Sequence, residues 1–484
     1  MTPAILWFRR DLRLADNPAL QAIITAGHAP IPVYIHDEPD DNWPLGTASA
    51  WWLHQSLTAL QQSLQKCGSD LLVFQGDSAS ILTRLLKQTC ADRLAWNRCY
   101  EPAHIKRDEH IREAILKQGY DVSTHNAALL REPREIRKKD GTPYRVFTPF
   151  WKTLYRLGPA REVIPVAEKL PVLDSDRIPD SVSVASLKLL PAARRGKEFH
   201  RHWQPGEDGA REVLQDFCND RLPDYPADRD IPEKSATSRL SAHLHFGEIS
   251  PVQIWYYLLQ QASATTASGA FAATEQYLRQ IAWREFSHHL LYHFPHTTLQ
   301  PLDTRFEQFP WRTDYRDILG RWQQGQTGIP LVDAGMRELW TTGYLHNRVR
   351  MIVASFLTKN LLIPWQEGAR WFWDTLVDAD LANNTMGWQW AAGSGADAAP
   401  YFRIFNPVLQ GEKFDRAGRY VRHWVPELAA LGNRIIQQPW SADPAVLADA
   451  GVKLGIDYPH PLVDLQVSRR QALAAWDSVK RKRK

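Results

Sequence analysis

The sequence predicts two folded parts: an α/β amino-terminal domain with a Rossmann-like parallel sheet and, after a linker, a larger all-α domain. Two observations predict this order. Residues 1–130 alternate short apolar runs with longer segments whose apolar residues lie three and four apart, which is typical of βαβ units. From residue 206 onward, apolar residues recur with a period of about 3.6, which indicates helices. We therefore place the α/β domain at 1–130, the linker at 131–205 and the helical domain at 206–484.

The α/β domain is predicted from apolar runs that are too short for helices. A helix start follows the first run, because Asp16 or Asn17 can cap a helix whose first turn begins with Pro18. A further helix is predicted over Ala48–Lys66. No G-x-G-x-x-G or Walker loop occurs, which argues against a nicotinamide dinucleotide or nucleoside triphosphate site. The predicted strands are Ile5–Phe8, Ile31–Ile35, Leu71–Phe74 and Leu94–Trp96.

The linker is rich in Pro, Arg and Lys and has weak periodicity. It is predicted to pack on both domains; the alternative, a disordered tether, conflicts with the aromatic stretch 144–155. In the helical domain, a 3.6-residue period predicts helices at 211–217, 249–261, 271–293, 331–342, 347–363 and 367–377.

The composition limits the kinds of site that the chain can carry. Its formal net charge is only +4, so a nucleic-acid site must come from a local patch. Four cysteines without a C-x-x-C pair argue against a disulfide framework or a zinc site and favour a reducing compartment. No apolar stretch approaches the roughly 18 residues that span a bilayer, so we expect a cytoplasmic protein without membrane contact. The basic run 480–484 is expected to be a solvated tail.

Aromatic residues are abundant, with 20 Trp in 484 residues. They either fill a large helical core or stack on a chromophore or nucleobase, and composition leaves both open. The segment Thr237–Ser241 offers three hydroxyls at a predicted helix start, which suits a phosphate or pyrophosphate; simple helix capping is the alternative. Polar and aromatic residues also combine in Trp283–Phe286, His346–Met351, Asp378–Asn384 with Gly387–Trp390, and Tyr401–Pro407 with Gln410–Asp415.

In this order and near this spacing, these five segments resemble the FAD-binding domain of the photolyase–cryptochrome family. The amino-terminal stretch Trp7–Asn17 resembles the opening strand and loop of that family. The resemblance covers nearly the whole chain, is strongest over about 225–430 and is weakest over the linker. It implies an FAD bound in a U shape inside the helical domain.

The resemblance also implies residue roles at this cofactor. Asn384 corresponds to the residue that faces flavin N5, and Asp378 and Asp380 to acceptors near the flavin and ribose. An electron-transfer chain from the surface to the flavin is implied at Trp388, Trp365 and Trp311, with ordinary core packing as the alternative. The remaining expected FAD contacts are Tyr225, Thr237, Ser238, Arg239, Leu240, Ser241, Arg284 and Ala379, of which 237–241 correspond to the pyrophosphate site.

For DNA, the resemblance implies a pocket that receives an extruded lesion. Trp283 and Trp390 correspond to its stacking walls, and Asn347 and Met351 to pocket residues typical of enzymes for cyclobutane pyrimidine dimers. Gln280 departs from this pattern, because such enzymes usually have Glu there. Expected DNA contacts are Arg229, Arg348 and Gln410, with Arg350 and Arg403 nearby; surface ion pairs are the alternative for each Arg.

Together these residues imply light-driven repair of cyclobutane pyrimidine dimers by electron transfer from excited reduced FAD. The alternatives are a cryptochrome-type blue-light photoreceptor and, because of Gln280, a (6-4) photoproduct photolyase. Asn384 is typical of photolyases and favours repair. The stretch Trp96–Asp108 corresponds to the antenna region, where we expect 5,10-methenyltetrahydrofolate rather than a deazaflavin, or no pigment. The expected partner is UV-damaged DNA, bound by a monomer without an obligate protein partner.

Overall fold

The fold is given by a computed structural model that describes residues 1–37, 42–166, 169–171, 179–191, 198–264, 269–398 and 402–480. Two features singled out above, Tyr401 and the tail residues 481–484, lie outside this described part. The chain divides into two compact units. The first comprises Met1–Pro223 and Ser238–Pro295, and the second comprises Asp224–Thr237 and His296–Lys484.

The first unit contains a five-stranded parallel sheet with strand order β3-β2-β1-β4-β5. The four predicted strands and the parallel α/β class are confirmed. The fifth strand was not predicted, because its sequence DVSTH has one aliphatic residue and lies half-exposed at the sheet edge. The strands are β1 (Pro3–Phe8), β2 (Ala29–His36), β3 (Leu72–Gln75), β4 (Arg93–Asn97) and β5 (Asp121–His125).

The rest of the first unit consists mainly of helices, some of which cover the sheet. The predicted start of α1 is confirmed, because the Asn17 side chain accepts a hydrogen bond from the Leu20 amide and Pro18 is the first helical residue. Part of the linker forms α5, so the aromatic stretch 144–155 is structured rather than a tether. The described helices are α1 (Pro18–Thr25), α2 (Thr47–Lys66), α3 (Ser78–Thr89), α4 (Pro102–Lys117), α5 (Phe147–Leu157), α6 (Glu207–Asp216), α8 (Ser241–Phe246), α9 (Pro251–Ala264) and α10 (Ala270–His293).

The described residues of the second unit form helices that are connected by loops. The long segment predicted at 347–363 divides, because the α-helix ends at Ser355 and a π-helical turn, Phe356–Asn360, follows it. Its α-helices are α7 (Tyr225–Asp228), α11 (Arg316–Gln323), α12 (Pro330–Thr342), α13 (Asn347–Ser355), α14 (Trp365–Thr375), α15 (Leu381–Ala392), α16 (Pro407–Phe414), α17 (Arg419–Trp424), α18 (Pro444–Asp449) and α19 (Leu465–Lys480).

Buried polar residues fix the loops of each unit. In the first, the Arg13 guanidinium is 1% exposed and donates to the carbonyl oxygens of Gly247, Asp16 and Ala127. In the second, the buried Asp333 carboxylate accepts hydrogen bonds from Thr327 and from the Tyr458 hydroxyl. Each group is enclosed with its partners, so both loops are held without solvent. Among the described helices, none has both the length and the apolar composition needed to cross a bilayer.

Candidate functional site

The hydroxyl-rich segment meets the start of α8 in the first unit. Leu240 occupies the N-cap position and cannot accept a hydrogen bond through its side chain. The buried Ser238 hydroxyl instead accepts from the Tyr277 hydroxyl at 2.7 Å and from the Leu240 amide at 3.3 Å. Arg239 has a left-handed backbone with φ of 58°, which turns the chain into the helix. The exposed Ser241 is the first helical residue, so the first-turn amides can serve an anionic ligand.

Helix α10 of the same unit carries Gln280, Trp283 and Arg284. Trp283 is held by Phe147 of α5, whose ring stacks on it at a centroid distance of 3.5 Å and an angle of 7°. One face of the Trp283 ring is therefore covered by the protein, which leaves the opposite face for any ligand. The Arg284 guanidinium donates to the Ala128 carbonyl at 2.7 Å. This hydrogen bond fixes the orientation of the Arg284 guanidinium.

Glu285 is a buried acid next to Arg284 that the sequence did not single out by itself. Its carboxylate accepts a hydrogen bond from the Leu130 amide at 2.9 Å, and Arg284 lies 3.6 Å away. Burial raises the pKa of Glu285 to about 7, against the lowering by Arg284 and the backbone amides. The charge of this part of α10 therefore changes near neutral pH.

In the second unit, the expected acceptors lie where α13, α14 and α15 meet. Asp378 forms a two-oxygen ion pair with Arg350, at 2.9 and 2.8 Å. Asp380 caps α15 by accepting from the Asn383 amide. The Asn384 side chain donates to the Ala369 carbonyl of α14 at 3.0 Å. Asp378 and Asp380 are only 8% and 7% exposed, so they are not a solvated helix end. Ala379 between them is buried as well.

Tyr225 and Thr237 belong to the second unit too. Tyr225 is buried, its pKa is raised to about 12 by desolvation, and the Arg229 guanidinium lies 5.3 Å from its ring centroid. The Thr237 hydroxyl lies 3.3 Å from the hydroxyl of Tyr344. Tyr344 was not predicted, because it lies two residues before the segment His346–Met351 that carried the resemblance.

The three tryptophans of the expected relay occur on α14, α15 and the loop before α11. The buried Trp388 ring lies against Gly368, which is three residues after Trp365 and thus on the same face of α14. Trp365 is 1% exposed. Trp311 is partly buried beside Phe309, and the following residue, Arg312, donates its amide to the Leu362 carbonyl. The segments that carry the three rings therefore run side by side.

A cationic cavity of about 560 Å³ opens on the second unit. Two of the expected DNA contacts, Arg348 and Gln410, line it together, and Arg403 joins them. Arg229 lies 4.0 Å from Asp230, which also lines the cavity. Three other lining residues belong to the segments 401–407 and 410–415 but had no predicted role: Phe405, Lys413 and Phe414. No sequence signal pointed to the remaining ones: Ala227, Ile231 and Arg416.

The expected lesion-pocket residues of the second unit lie near this cavity. The ring centroid of Trp390 lies 6.4 Å from that of Phe405, which is one of the lining residues. Asn347 and Met351 lie one turn apart on α13, with the Asn347 amide nitrogen 3.9 Å from the Met351 sulfur. Arg348 follows Asn347 directly, so the pocket residues and a cavity cation share the start of one helix.

Comparison with known proteins identifies the family of the chain. Residues 277–478 match the model of the FAD binding domain of DNA photolyase, and residues 4–168 match that of DNA photolyase. The deoxyribodipyrimidine photo-lyase of Agrobacterium fabrum is 47% identical over 481 residues, covering 99% of this chain and 98% of that protein. The chain belongs to the DNA photolyase–cryptochrome family.

Both branches of the photolyase–cryptochrome family are represented among the relatives. Cryptochrome-2 of Arabidopsis thaliana is 39% identical and matches 96% of this chain and 77% of its own length. A crystal structure of a bacterial class III photolyase from Agrobacterium tumefaciens superposes with a TM-score of 0.95 at 46% identity, over 99% of this chain and 98% of that one. The predicted family and fold class are thus confirmed, while repair and light sensing must be separated by the site itself.

The residues present fit the FAD that the photolyase domain implies. In the second unit, the carboxylates of Asp378 and Asp380 can accept from ring N–H and ribose hydroxyl groups. In the first unit, taken by itself, Ser238 and the α8 amides can bind phosphate oxygens. Within the described residues, the Thr385 hydroxyl and the Trp388 indole N–H are buried without a hydrogen-bond partner. A polar ligand bound here could satisfy both groups, although other buried polar atoms of the described residues, such as the Trp7 and Trp96 indole N–H groups, also have no partner.

Proposed function

We propose that the protein is a deoxyribodipyrimidine photo-lyase that uses light to split cyclobutane pyrimidine dimers in DNA. The cationic cavity beside Trp390 and the Asn347–Met351 pair carries this proposal. A receptor that only signals has no need for phosphate contacts beside a pocket, whereas an enzyme that extrudes a lesion needs both.

The proposed roles at the cofactor follow from chemistry. Residues 237–241 would hold the pyrophosphate, assisted by Tyr225 and Arg284, and Asp378 and Asp380 would orient the flavin and ribose. When bound, reduced FAD supplies an excited electron that opens the two carbon–carbon bonds of the dimer and is then returned. Trp311, Trp365 and Trp388 would carry electrons inward from the surface when the cofactor is oxidised, because each indole can lose an electron transiently.

The proposed DNA contacts divide into positioning and recognition. Arg229, Arg348 and Gln410 would bind the backbone, which fixes the register of the duplex. Trp283 and Trp390 would stack on the extruded bases, and Asn347 and Met351 would complete the pocket. Extrusion costs less for a dimer, because its stacking and pairing are already disturbed.

The choice between a cyclobutane dimer and a (6-4) photoproduct as substrate depends on the role that is assigned to Gln280. Its side-chain amide donates to the Gln276 carbonyl at 3.4 Å, and we propose that the same amide would donate to a pyrimidine carbonyl of a bound lesion. A neutral amide donates there without the charge of a carboxylate. The Asn347 and Met351 pair supports a cyclobutane dimer, and we propose this substrate over the (6-4) photoproduct.

For the antenna, we propose 5,10-methenyltetrahydrofolate rather than a deazaflavin. Ligands of open α/β sheets bind beyond the strand ends where the strand order reverses, here between β1 and β4. Arg9 fills that place, paired with Asp108 at 2.8 Å, and its guanidinium lies 4.2 Å from the Trp7 ring centroid. Any pigment at this place would have to displace this buried ion pair, so the choice rests on the stretch Trp96–Asp108, which lacks the Tyr-Gly pair of many deazaflavin binders. Identifying the pigment released by denaturation tests the choice.

The remaining proposals concern the domain boundaries, the oligomeric state, the cellular location and the partner of the protein. We propose that residues 1–130 form an antenna-type domain, 131–205 the linker, and 206–484 the catalytic domain. We further propose a cytoplasmic monomer that acts on UV-damaged DNA without an obligate protein partner. Light scattering of the purified protein, with and without a damaged duplex, tests the monomer.

One experiment tests the main proposal. Duplexes with a single cyclobutane dimer or a single (6-4) photoproduct are incubated with the purified protein, in the dark and under blue light. We expect restoration of the cyclobutane dimer only, and only in the light. Equal activity in the dark would refute the mechanism, restoration of the (6-4) duplex would refute the lesion choice, and no restoration with normal FAD photochemistry would favour the cryptochrome alternative.

A further inference from the structure

Asp230 is an acid placed among the cations of the cavity. Within the described residues that line this cavity, four are Arg or Lys and Asp230 is the one carboxylate. Its Oδ2 atom lies 2.9 Å from the Arg348 guanidinium, and its Oδ1 atom lies 4.0 Å from that of Arg229. The two cations with which it interacts are those expected to bind the DNA backbone.

Arg348 does not depend on Asp230 alone for its place. Its guanidinium also stacks over the Phe414 ring, 4.4 Å from the centroid, and its backbone is fixed in the first turn of α13. Neutralising Asp230 would therefore leave Arg348 in the cavity. We therefore expect the Asp230 carboxylate to limit how easily a phosphate binds Arg348, rather than to fix the position of Arg348.

A carboxylate and a phosphate compete for the same guanidinium donors. Both accept two parallel N–H bonds from Arg, so a phosphate that reaches Arg348 must displace or share the Asp230 oxygen. The Asp230 side chain is 35% exposed, so its charge also faces the approaching backbone. Unlike the surrounding cations, it opposes every phosphate equally, whether or not a lesion is present.

We propose that Asp230 restrains the binding of undamaged DNA by competing with backbone phosphates for Arg348. The inference rests on the proposed function in that DNA is the ligand of this cavity. Binding to undamaged duplex depends almost wholly on phosphate contacts, so it is the state that such a competitor weakens directly. Lesion binding loses the same free energy to this competition but stays tighter, because it has additional contacts to the extruded bases.

The test is Asp230→Asn, measured as binding of a fluorescently labelled undamaged duplex in the dark. Removing one negative charge beside the phosphates should tighten binding roughly three- to tenfold at about 0.1 M salt. If Arg348 then neutralises one more phosphate, the slope of log K against log salt should steepen by about 0.9. FAD content and the denaturation temperature report on folding.

Asp228→Asn provides a matched control. Asp228 lies two residues away and pairs with Lys234 at 2.6 Å, and it does not line the cavity, so this variant has the same net charge as Asp230→Asn. We expect its DNA affinity to stay within about twofold of the unmodified protein. A second control is Arg348→Gln, in which adding Asp230→Asn should give little further gain.

Three results would overturn the inference. Weaker or unchanged binding by Asp230→Asn would mean that Asp230 positions the cations rather than competing for them. An equal gain in Asp228→Asn would assign the effect to net charge. A full gain in the absence of the Arg348 guanidinium would exclude the named pair. Because all binding is measured in the dark on undamaged DNA, a failure of light-dependent repair would be seen separately and would not produce any of these results.

Discussion

Gly368→Ala tests whether the packing of Trp388 on α14 matters for the relay. A Cβ atom built at Gly368 would lie within 2.5 Å of three carbons of the Trp388 ring, where ordinary contact begins near 3.4 Å. The ring would have to withdraw by about 1.4 Å, from 2.0 Å to 3.4 Å at its nearest carbon. It is 2% exposed, with Phe372 at 4.9 Å and Trp322 at 6.2 Å between ring centroids, so it has little space to do so.

The expected cost can be worked out from two opposing effects. Overpacking of this kind costs about 1–3 kcal/mol, because neighbouring side chains leave their preferred rotamers. Replacing a helical glycine by alanine returns up to about 1 kcal/mol, because the unfolded chain loses freedom. The free energy of unfolding should therefore change by about 0–2 kcal/mol against the protein.

Gly387→Ala isolates the packing effect. Gly387 lies in α15, which also carries Trp388, and a Cβ atom there meets nothing within 4 Å. This variant should gain about 1 kcal/mol from helix propensity alone, so the difference between the two variants should be about 1–3 kcal/mol. Release of FAD fluorescence during denaturation measures it. Photoreduction of oxidised FAD should slow in Gly368→Ala and stay unchanged in Gly387→Ala. Equal stability and equal photoreduction of both variants would refute the reasoning.

Three further predictions test other parts of the site. Trp311→Phe should block photoreduction of oxidised FAD while FAD stays bound, and normal photoreduction would remove Trp311 from the relay. The pKa of Glu285 is raised to about 7 by burial from an ordinary 4.5, so the folded protein binds this proton more tightly and loses stability as pH rises between these values. Glu285→Gln should accordingly exceed the parent protein in denaturation temperature above pH 7 and lose that advantage near pH 5; the reverse trend would contradict the assignment. Phe147→Leu should weaken binding of dimer-containing DNA roughly three- to tenfold, because the freed Trp283 ring must be ordered on binding, whereas Phe147→Tyr should not; equal affinities would show that the stack does not position the ring.

The strands show which parts of the fold can be predicted from the local sequence and which cannot. Ile5–Phe8 and Ile31–Ile35 were predictable, because a fully buried strand must be apolar on both faces. The edge strand Asp121–His125 was not, since its pairing with β4 comes from the fold and leaves little apolar signal. Likewise the helix predicted over 347–363 broke at Ser355, because the π-helical turn after it is set by packing rather than by periodicity.

The sequence by itself determined the order of an α/β and an α-helical part, and motifs such as Asp378–Asn384 indicated the family and its cofactor. Their polar residues stand where a core requires apolar ones, which is visible without coordinates. Only the tertiary structure decided that Asp378 pairs with Arg350, that Phe147 covers one face of Trp283, and that Asp230 lies among the cavity cations. Each of these joins residues that are far apart in the chain or carry no motif, and only the packing of helices sets such distances.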